Sequence, residues 1–287
     1  MEITCTDGVS LDCLVAGRGP VVVAAHGFPD HRETFALQVP ALVDAGFRVV
    51  CPAMRGYRPS GAGRAATATR LGQDLLDIAD AVSPDRAVHL LGHDWGAVAA
   101  YAAQALAPHR IRTLSTVAVP PLRPTVFRYF RPSQLRRSSY ILRFQVSGAP
   151  EAWVSEPAFL ERLWRRWSPE LSIDRAELAR IAAAMRPRAV LHYYRELFRH
   201  RPDRAALAPI TVPALYIHGR EDGCIGAELV DGIESAFRGD AMIYTLSGGH
   251  FVHREAPAQV NALLLRRMGG PDSMPATPGV GPRPPRP

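Results

Sequence analysis

The segment Gly92-His93-Asp94-Trp95-Gly96 constrains the fold of this chain more than any other feature of its sequence. An apolar, strand-like run, residues 86–91, precedes it, and an alanine-rich helical run, residues 97–107, follows it. We therefore predict a sharp turn from a strand into a helix, with a glycine on each side of the turn. Glycine is needed there because the strained backbone of such a turn leaves no room for larger side chains.

Asp94 occupies the centre of this turn, where hydrolases with the same strand–turn–helix motif commonly carry a serine. A serine would indicate acyl transfer, whereas a carboxylate indicates attack on an electrophilic sp³ carbon and formation of a covalent alkyl ester. Aspartate needs no base for that step, because its reference pKa is about 3.9 and it is ionised at neutral pH. The alternative is an ordinary turn aspartate or a helix N-cap, and the pentapeptide alone does not decide between these interpretations.

Length and composition predict a globular chain with a large core, since 47% of the 287 residues are apolar. The sequence has no run of 18 apolar residues, and its N-terminus lacks the basic and apolar regions of a secretory signal, so neither a transmembrane helix nor secretion is expected. The four cysteines are scattered and form no C-x-x-C pair. We therefore expect reduced thiols and a cytoplasmic protein, without a disulfide framework or a zinc site.

The formal net charge is +7, and every basic residue is arginine. A basic balance can indicate a nucleic acid or an anionic surface as partner. Codon bias in a GC-rich genome explains the same composition, and the alanine, proline and glycine content agrees with it. Because no nucleic-acid-binding motif accompanies the charge, we expect no nucleic-acid partner.

Short apolar runs alternate with helical runs before residue 120 and again after residue 210. This alternation predicts an α/β fold, with a mostly parallel sheet covered by helices on both faces. The predicted strands are residues 2–6, 11–16, 21–25, 47–51, 86–91, 111–119, 214–218 and 241–246. The predicted helices are residues 34–45, 69–82, 97–107, 227–237 and 257–267.

The alternation stops near Pro120, and residues 121–209 are helical, arginine-rich and aromatic. We interpret this block as a helical cap inserted between two parts of one α/β core, residues 1–120 and 210–268. Residues 269–287 are rich in proline and glycine without periodicity, which predicts a disordered tail.

The loop His26-Gly27-Phe28-Pro29 directly follows a predicted buried strand. Such a loop can direct the backbone N–H of Phe28 towards Asp94, and the N–H of Trp95 can supply a second donor. The two donors are therefore predicted to form an oxyanion hole. Phe28, Pro29 and Trp95 are also expected to line the substrate pocket. Taken alone, the loop is equally a plain connection after a strand.

Glycine-flanked loops follow the last two predicted strands, and each carries a candidate catalytic residue. Asp222 in the first loop is predicted to orient a histidine, with Glu221 as the competing acid. His250 in the second loop is predicted to be the base, and His253, which competes with it, is expected on a helix surface. Nucleophile, acid and histidine, each directly after a strand, follow one another in the order that the α/β-hydrolase fold requires.

Five motifs together resemble those of the α/β-hydrolase-fold epoxide hydrolases: His26-Gly27-Phe28-Pro29, Arg55-Gly56-Tyr57, Gly92-His93-Asp94-Trp95-Gly96, Gly219-x-x-Asp222 and Gly249-His250-Phe251. The resemblance runs from the first strands to about Arg267. It implies an Asp94 nucleophile, water activation by His250 and Asp222, and no metal or organic cofactor. The chain departs from the family at Arg58, where glycine is common, in a loop expected to lie away from the catalytic groups.

The family also uses two cap tyrosines to hold the epoxide oxygen. One lies in a Tyr-x-x-x-Phe-Gln pattern, which implies Tyr140. The other precedes an arginine, which implies Tyr194, although His192 and Tyr193 differ from the common residues there and leave Tyr193 as a rival. Adjacent side chains on a helix point about 100° apart, so only one of these two can face the pocket. Core packing with a satisfied hydroxyl is the alternative role for either.

The resemblance implies that the chain opens a small apolar or aryl epoxide to a vicinal diol through an aspartyl ester. A haloalkane or haloacid dehalogenase is the first alternative, because it shares the aspartate and the Asp–His pair. Phe28 and Trp95 argue against it, since related dehalogenases have a polar residue or an arginine at these positions. The second alternative is a non-catalytic protein that binds a small molecule in the same pocket. The oligomeric state is left open.

Overall fold

Eight strands form one sheet in the computed structural model, which describes residues 1–63, 65–199 and 203–269. The strands are β1 (Glu2–Thr4), β2 (Ser10–Gly17), β3 (Val21–Ala25), β4 (Arg48–Pro52), β5 (Val88–His93), β6 (Ile111–Val117), β7 (Ala214–Gly219) and β8 (Ala241–Leu246). Their order across the sheet is β1-β2-β4-β3-β5-β6-β7-β8. Only the β1–β2 and β2–β4 pairs are antiparallel within this sheet, so the predicted mostly parallel α/β fold is confirmed.

Twelve α-helices accompany the sheet within the described residues. They are α1 (Val39–Asp44), α2 (Ala68–Val82), α3 (Trp95–Leu106), α4 (Leu122–Thr125), α5 (Pro132–Arg137), α6 (Ser139–Arg143), α7 (Ala149–Trp153), α8 (Pro157–Trp167), α9 (Arg175–Ala184), α10 (Pro187–Arg199), α11 (Val252–Glu255) and α12 (Pro257–Met268). No helix in the part of the chain that the structure describes is long and apolar enough to cross a membrane.

The helices cover both faces of the sheet, as its buried strands require. Val22 packs in one apolar cluster with Leu42 of α1 and Leu264 of α12, whereas the next residue, Val23, packs in another with Leu71 of α2. Successive side chains of a strand point to opposite faces, so a strand with apolar residues at every position needs helices on each side.

The predicted helix over residues 34–45 is wrong in extent. The chain forms a 3₁₀-helix at Arg32–Phe35 and only later the six-residue α1. Pro40 lies in the first turn of α1, where its missing N–H is tolerated. A helix continuing from residue 34 would place this proline in its interior, where the ring clashes with the preceding turn.

The predicted helix over residues 227–237 is also wrong. It consists of two 3₁₀ turns, Ala227–Leu229 and Ile233–Ala236. Gly232, directly before the second turn, has a φ of +72°, a left-handed conformation that interrupts a right-handed helix. The apolar periodicity of residues 227–237 therefore predicted one continuous helix and did not predict the break at Gly232.

Residues 121–209, here called the helical insertion, lie between β6 and β7 and contain α4 to α10. The insertion is joined to the core by the loop of residues 55–58. The Arg58 N–H donates to the Ala184 carbonyl (2.6 Å), and the Arg186 N–H donates to the Gly56 carbonyl (2.8 Å). Arg58 itself is exposed, but its loop holds the insertion in place. Residues 270–287 of the predicted tail lie outside the described residues.

A buried ion pair fixes this loop from the other side. The Arg55 guanidinium donates two hydrogen bonds of 2.6 Å to Asp74 on α2, and both side chains are almost fully buried. The Arg55 carbonyl accepts a hydrogen bond from the Tyr193 hydroxyl of α10 (2.8 Å). One residue therefore connects α2, the loop and the insertion.

We predict that Arg55→Met destabilises the protein by about 3–5 kcal/mol, because it leaves the Asp74 carboxylate buried without its main partner. Urea unfolding of the variant and the parent measures the difference. Arg165→Met is the matched control. Arg165 pairs with Glu161 at 2.8 Å on the surface, so its loss is expected to cost less than about 1 kcal/mol. Equal losses in the two variants would contradict the prediction.

Candidate active site

The turn between β5 and α3 has the strained backbone that its glycines predict. Asp94 has a φ of +51° and a ψ of −118°, a conformation that non-glycine residues rarely adopt. A Cβ on Gly92 would collide with the Gly96 carbonyl, and a Cβ on Gly96 would collide with the Ala25 carbonyl of β3. The Asp94 side chain does not cap α3, which leaves its carboxylate free for other contacts.

The Asp94 carboxylate faces the loop after β3, as the sequence predicts. Its Oδ1 accepts a hydrogen bond of 2.7 Å from the Phe28 backbone N–H. A Cβ on Gly27 would meet both Asp94 Oδ1 and the Trp95 backbone nitrogen, so these two atoms lie against the same glycine. The structure thus brings the two predicted oxyanion-hole donors to one side of the carboxylate. Pro29 is buried, and its carbonyl accepts the indole N–H of Trp164 (3.0 Å).

His250 lies between the two predicted carboxylates. Its Nδ1 is 2.9 Å from Asp222 Oδ2, and its Nε2 is 3.5 Å from Asp94 Oδ2. Asp222 Oδ1 accepts the backbone N–H groups of Cys224 (2.7 Å) and Ile225 (2.8 Å). Because these bonds fix the carboxylate, Asp222 holds the imidazole ring with Nε2 directed at Asp94.

The residues that compete with Asp222 and His250 for their roles, Glu221 and His253, make other contacts. Glu221 is exposed and accepts the Gly248 N–H at 2.6 Å. His253 is fully buried, so the surface position expected for it is wrong, and its Nε2 lies 2.8 Å from the Thr34 hydroxyl. Neither side chain takes part in the contacts that join His250 to the carboxylates.

The charges of the site reinforce one another. Burial by itself lowers the pKa of His250, but the Asp222 and Asp94 carboxylates outweigh it and raise that pKa to about 10. Burial raises the pKa of Asp94, but the hydrogen bond and charge of His250 outweigh it and hold the pKa below its ordinary value. The resting site at neutral pH therefore holds an imidazolium beside an ionised Asp94.

The adjacent tyrosines of α10, Tyr193 and Tyr194, point in different directions, as helix geometry requires. Tyr193 donates its hydroxyl to the Arg55 carbonyl, away from the carboxylate, whereas the ring of Tyr194 contacts Phe28 and Trp95 at centroid distances of 5.4 and 5.3 Å. Among the described residues, no group meets hydrogen-bond geometry with the Tyr194 hydroxyl, although the Trp95 indole N–H is close enough to lower the pKa of that hydroxyl, against the larger effect of burial. Tyr194, not Tyr193, is therefore directed into the site.

Tyr140 lies beside Tyr194, with ring centroids 5.7 Å apart, and its hydroxyl is 3.6 Å from Cys224 Sγ. Burial raises the pKa values of the Tyr140 and Tyr194 hydroxyls well above the ordinary value of a phenol, and the nearby Asp94 charge raises both further. Both hydroxyls thus stay protonated over the whole neutral range. The structure brings together Asp94, His250, Asp222, Tyr140 and Tyr194.

Sequence reasoning missed Trp167, the last residue of α8. Its ring lies 5.1 Å from the ring of His250, and its carbonyl accepts the N–H groups of His250 (2.9 Å) and Gly223 (3.1 Å). A Cβ on Gly223 or Gly249 would collide with the insertion backbone, at Arg166–Ser168. The glycines beside the two loops were the available signal that another backbone approaches closely.

Within the residues that the structure describes, two groups of buried side chains have the spacing of metal ligands. One consists of Asp30, His93 and His253, whose ligand atoms lie within 4.8 Å of one another. The other consists of Cys5, Asp74 and Asp77, but their carboxylates already pair with arginines. Neither group includes the carboxylates that contact His250, so we assign neither to the chemistry of the site.

Comparisons with known proteins identify the family to which this chain belongs. The family model of the alpha/beta hydrolase fold matches residues 20–257. Epoxide hydrolase A of Mycobacterium tuberculosis is 33% identical over 92% of this chain and 96% of its own length. The chain belongs to the α/β-hydrolase-fold epoxide hydrolases. The resemblance carried by the five motifs is thereby confirmed.

Two further comparisons extend over most of this epoxide hydrolase. AB hydrolase superfamily protein YfhM of Bacillus subtilis is 30% identical and covers 91% of the chain and 94% of its own length. The crystal structure of epoxide hydrolase A from Mycobacterium thermoresistibile superposes with a TM-score of 0.78 at 30% identity, and covers 94% of this chain and 98% of that one. The dehalogenase and non-catalytic alternatives are not favoured.

We predict that Asp94→Asn lowers the pKa of His250, because a carboxylate 3.5 Å from Nε2 becomes neutral. Titration of the histidine side chains by NMR measures the change, and an unchanged pKa of His250 in Asp94→Asn would contradict the proximity of the two groups.

The raised pKa of His250 also affects the stability of the folded protein. The folded value of about 10 exceeds the unfolded value of about 6.5, so this stabilisation is fully present below pH 6.5 and is lost as the pH rises to about 10.

Proposed function

We propose that this enzyme opens an epoxide to a vicinal diol through an ester on Asp94, with Tyr140 and Tyr194 as acids and the His250–Asp222 pair as base. The observation that carries this assignment is that His250 Nε2 lies 3.5 Å from Asp94 Oδ2, while Tyr194 packs against Trp95, the residue after Asp94, and against Tyr140. Residues 121–209 act in this scheme as the cap of the core formed by residues 1–120 and 210–268.

The first half-reaction needs no base. Asp94 Oδ1 is held by the Phe28 N–H, so Oδ2 is the oxygen that attacks a ring carbon. The new C–O bond forms as the ring C–O bond breaks, and the ring oxygen takes a proton from Tyr140 or Tyr194. A tyrosine with a raised pKa is a weak acid in the resting site, but it matches the strongly basic alkoxide that develops.

The second half-reaction follows from the change in charge. Formation of the ester neutralises Asp94 and so removes one of the charges that raise the pKa of His250. His250 therefore loses its proton more easily, and the tyrosine that gave up its proton in the first half-reaction regains one. Neutral His250 then takes a proton from water, and the hydroxide attacks the ester carbonyl. The oxyanion forms at Oδ1, where the N–H groups of Phe28 and Trp95 stabilise it. Collapse releases the diol, and the added hydroxyl supplies its proton.

Aromatic side chains surround the reacting groups, and this supports an apolar or aryl epoxide as substrate. The Phe28 ring contacts Phe144, Trp167 and Tyr194 at centroid distances of 5.7, 6.4 and 5.4 Å. Such walls bind apolar surface and keep water away from the epoxide until the ester has formed. The four buried, unpaired cysteines support a reducing, cytoplasmic location.

We predict that His250→Gln accumulates the alkyl ester, because alkylation needs no base while hydrolysis of the ester does. Mass spectrometry of the variant with a small epoxide is expected to show a protein heavier by one substrate. The double variant with Asp94→Ala serves as the control and is expected to show no added mass. Normal turnover by His250→Gln would remove His250 from the mechanism.

We predict that Tyr140→Phe and Tyr194→Phe each slow alkylation by about 10²-fold, the usual contribution of a general acid. The double variant is expected to lose nearly all alkylation, because an unprotonated alkoxide is a poor leaving group. Single-turnover stopped-flow measurements of tryptophan fluorescence follow the step, since Trp95 contacts Tyr194 directly.

Tyr193→Phe is the matched control, because the Tyr193 hydroxyl bonds the Arg55 carbonyl and not the substrate. It is expected to alkylate at close to the parent rate. Two results would contradict the proposed epoxide chemistry. One is rapid epoxide opening by a folded Tyr140→Phe/Tyr194→Phe variant, and the other is a preference of the parent enzyme for chloroalkanes.

A further inference from the structure

The charges of the chain are unevenly distributed around the start of the helical insertion. Residues 95–150 contain no aspartate or glutamate, whereas residues 110–143 alone contain eight arginines. Arg137 pairs with Glu228 at 2.7 Å. Of the five exposed arginines in this segment, Arg112 lies on β6, whereas the other four lie in the insertion; they are Arg123, Arg131, Arg136 and Arg143, and none of the five forms an ion pair with a described carboxylate. Four exposed arginines without a described acidic partner thus lie within residues 123–143 of the insertion.

Apolar side chains are exposed between these arginines. Phe127 and Phe130 are 83% and 69% exposed, and Leu135, Leu142 and Val146 are exposed as well. Scattered single exposures are ordinary, but five within twenty residues of one segment are not. We call Phe127, Phe130, Leu135, Leu142 and Val146, together with the four arginines, the basic–apolar face.

The exposure of these residues shows that they lie on the solvent side of the insertion. Arg123, Phe127 and Phe130 follow one another at intervals of four and three, which places them on one side of a helical segment. On α6 and just after it, Tyr140 and Phe144 are buried towards the site, while Leu142 and Arg143 are exposed. The face is therefore a solvent surface without a partner among the described residues.

Charge decides which partner suits this face. A second copy of the chain would bring two arginine-rich, acid-free surfaces together, and their repulsion disfavours such a dimer. An anionic lipid surface attracts the arginines and accepts phenylalanine and leucine side chains into its interfacial region. Nucleic acid would satisfy the charges but would leave Leu135, Leu142 and Val146 in water.

We propose that the basic–apolar face docks the enzyme reversibly on the surface of a bilayer that contains anionic lipid. A groove of about 180 Å³, lined in part by Ser139, Tyr140, Arg143 and Trp153, adjoins the same face. Docking places this groove, and Tyr140 behind it, against the lipid phase in which apolar epoxides concentrate. This consequence for catalysis rests on the proposed function, whereas docking itself does not.

Vesicle cosedimentation tests the docking. The full-length parent protein is expected to bind phosphatidylcholine vesicles that contain phosphatidylglycerol, to bind pure phosphatidylcholine vesicles at least about tenfold more weakly, and to be released by high salt. Phe127→Ser/Phe130→Ser removes the two most exposed aromatic side chains and is expected to weaken binding by at least about tenfold.

A charge-matched pair of variants separates this face from the general basicity of the protein. Arg131→Gln/Arg136→Gln is expected to weaken binding by about 30-fold, since each arginine near an anionic surface contributes about 1 kcal/mol. Arg18→Gln/Arg86→Gln removes the same charge from exposed core positions outside the insertion and is expected to change binding by less than about threefold. All variants are expected to keep the parent melting temperature and the parent turnover of a water-soluble epoxide.

Three results would overturn the docking. The first is equal binding to neutral and anionic vesicles, or none to either. The second is an equal loss of binding in the two arginine variants. The third is a parent protein that is dimeric in analytical ultracentrifugation, becomes monomeric with Phe127→Ser/Phe130→Ser, and ignores vesicles, which would assign the face to a second copy. A parent that binds anionic vesicles but turns over no epoxide would overturn the proposed function and leave the docking intact.

Discussion

An imidazolium held between two buried carboxylates is the interaction on which the rest of this structure depends. His250 lies 2.9 Å from Asp222 and 3.5 Å from Asp94, and all three side chains are withdrawn from water. Burying charges is unfavourable unless each is paired and hydrogen-bonded. Backbone N–H groups of Cys224, Ile225 and Phe28 provide those bonds, so the loops after β3, β5, β7 and β8 must keep fixed positions relative to one another.

The helical insertion is a structural part of this arrangement. The Trp167 carbonyl accepts N–H groups from both the Gly223 and the His250 loops, and so ties the acid loop to the histidine loop. The contact is possible because Gly223 and Gly249 have no side chain where the insertion backbone passes. Movement of the insertion would therefore disturb the carboxylate–histidine geometry and would not merely open a path to the site.

Single helices of the insertion serve the core and the site at once. On α10, Tyr193 bonds the Arg55 carbonyl and thereby reaches the buried Arg55–Asp74 ion pair, while Tyr194 contacts Phe28 and Trp95 beside Asp94. One helix therefore carries both a residue that bonds the ion-paired Arg55 and the residue that we propose as an acid, at a fixed angle to each other about the helix axis.

The sequence by itself determined the α/β sheet, the turn at Asp94 and the placement of His250 and Asp222 after strands, because strand alternation and glycine-bounded turns are local properties of the chain. Their catalytic roles stay predictions. Only the tertiary structure separated Tyr194 from Tyr193 and buried His253 against Thr34. The two expected helices break for local reasons, at Pro40 and at Gly232, which the apolar periodicity did not report. For the side chains the deciding partners lie far away in sequence, as Thr34 lies 219 residues from His253, and no local pattern reports such a neighbour.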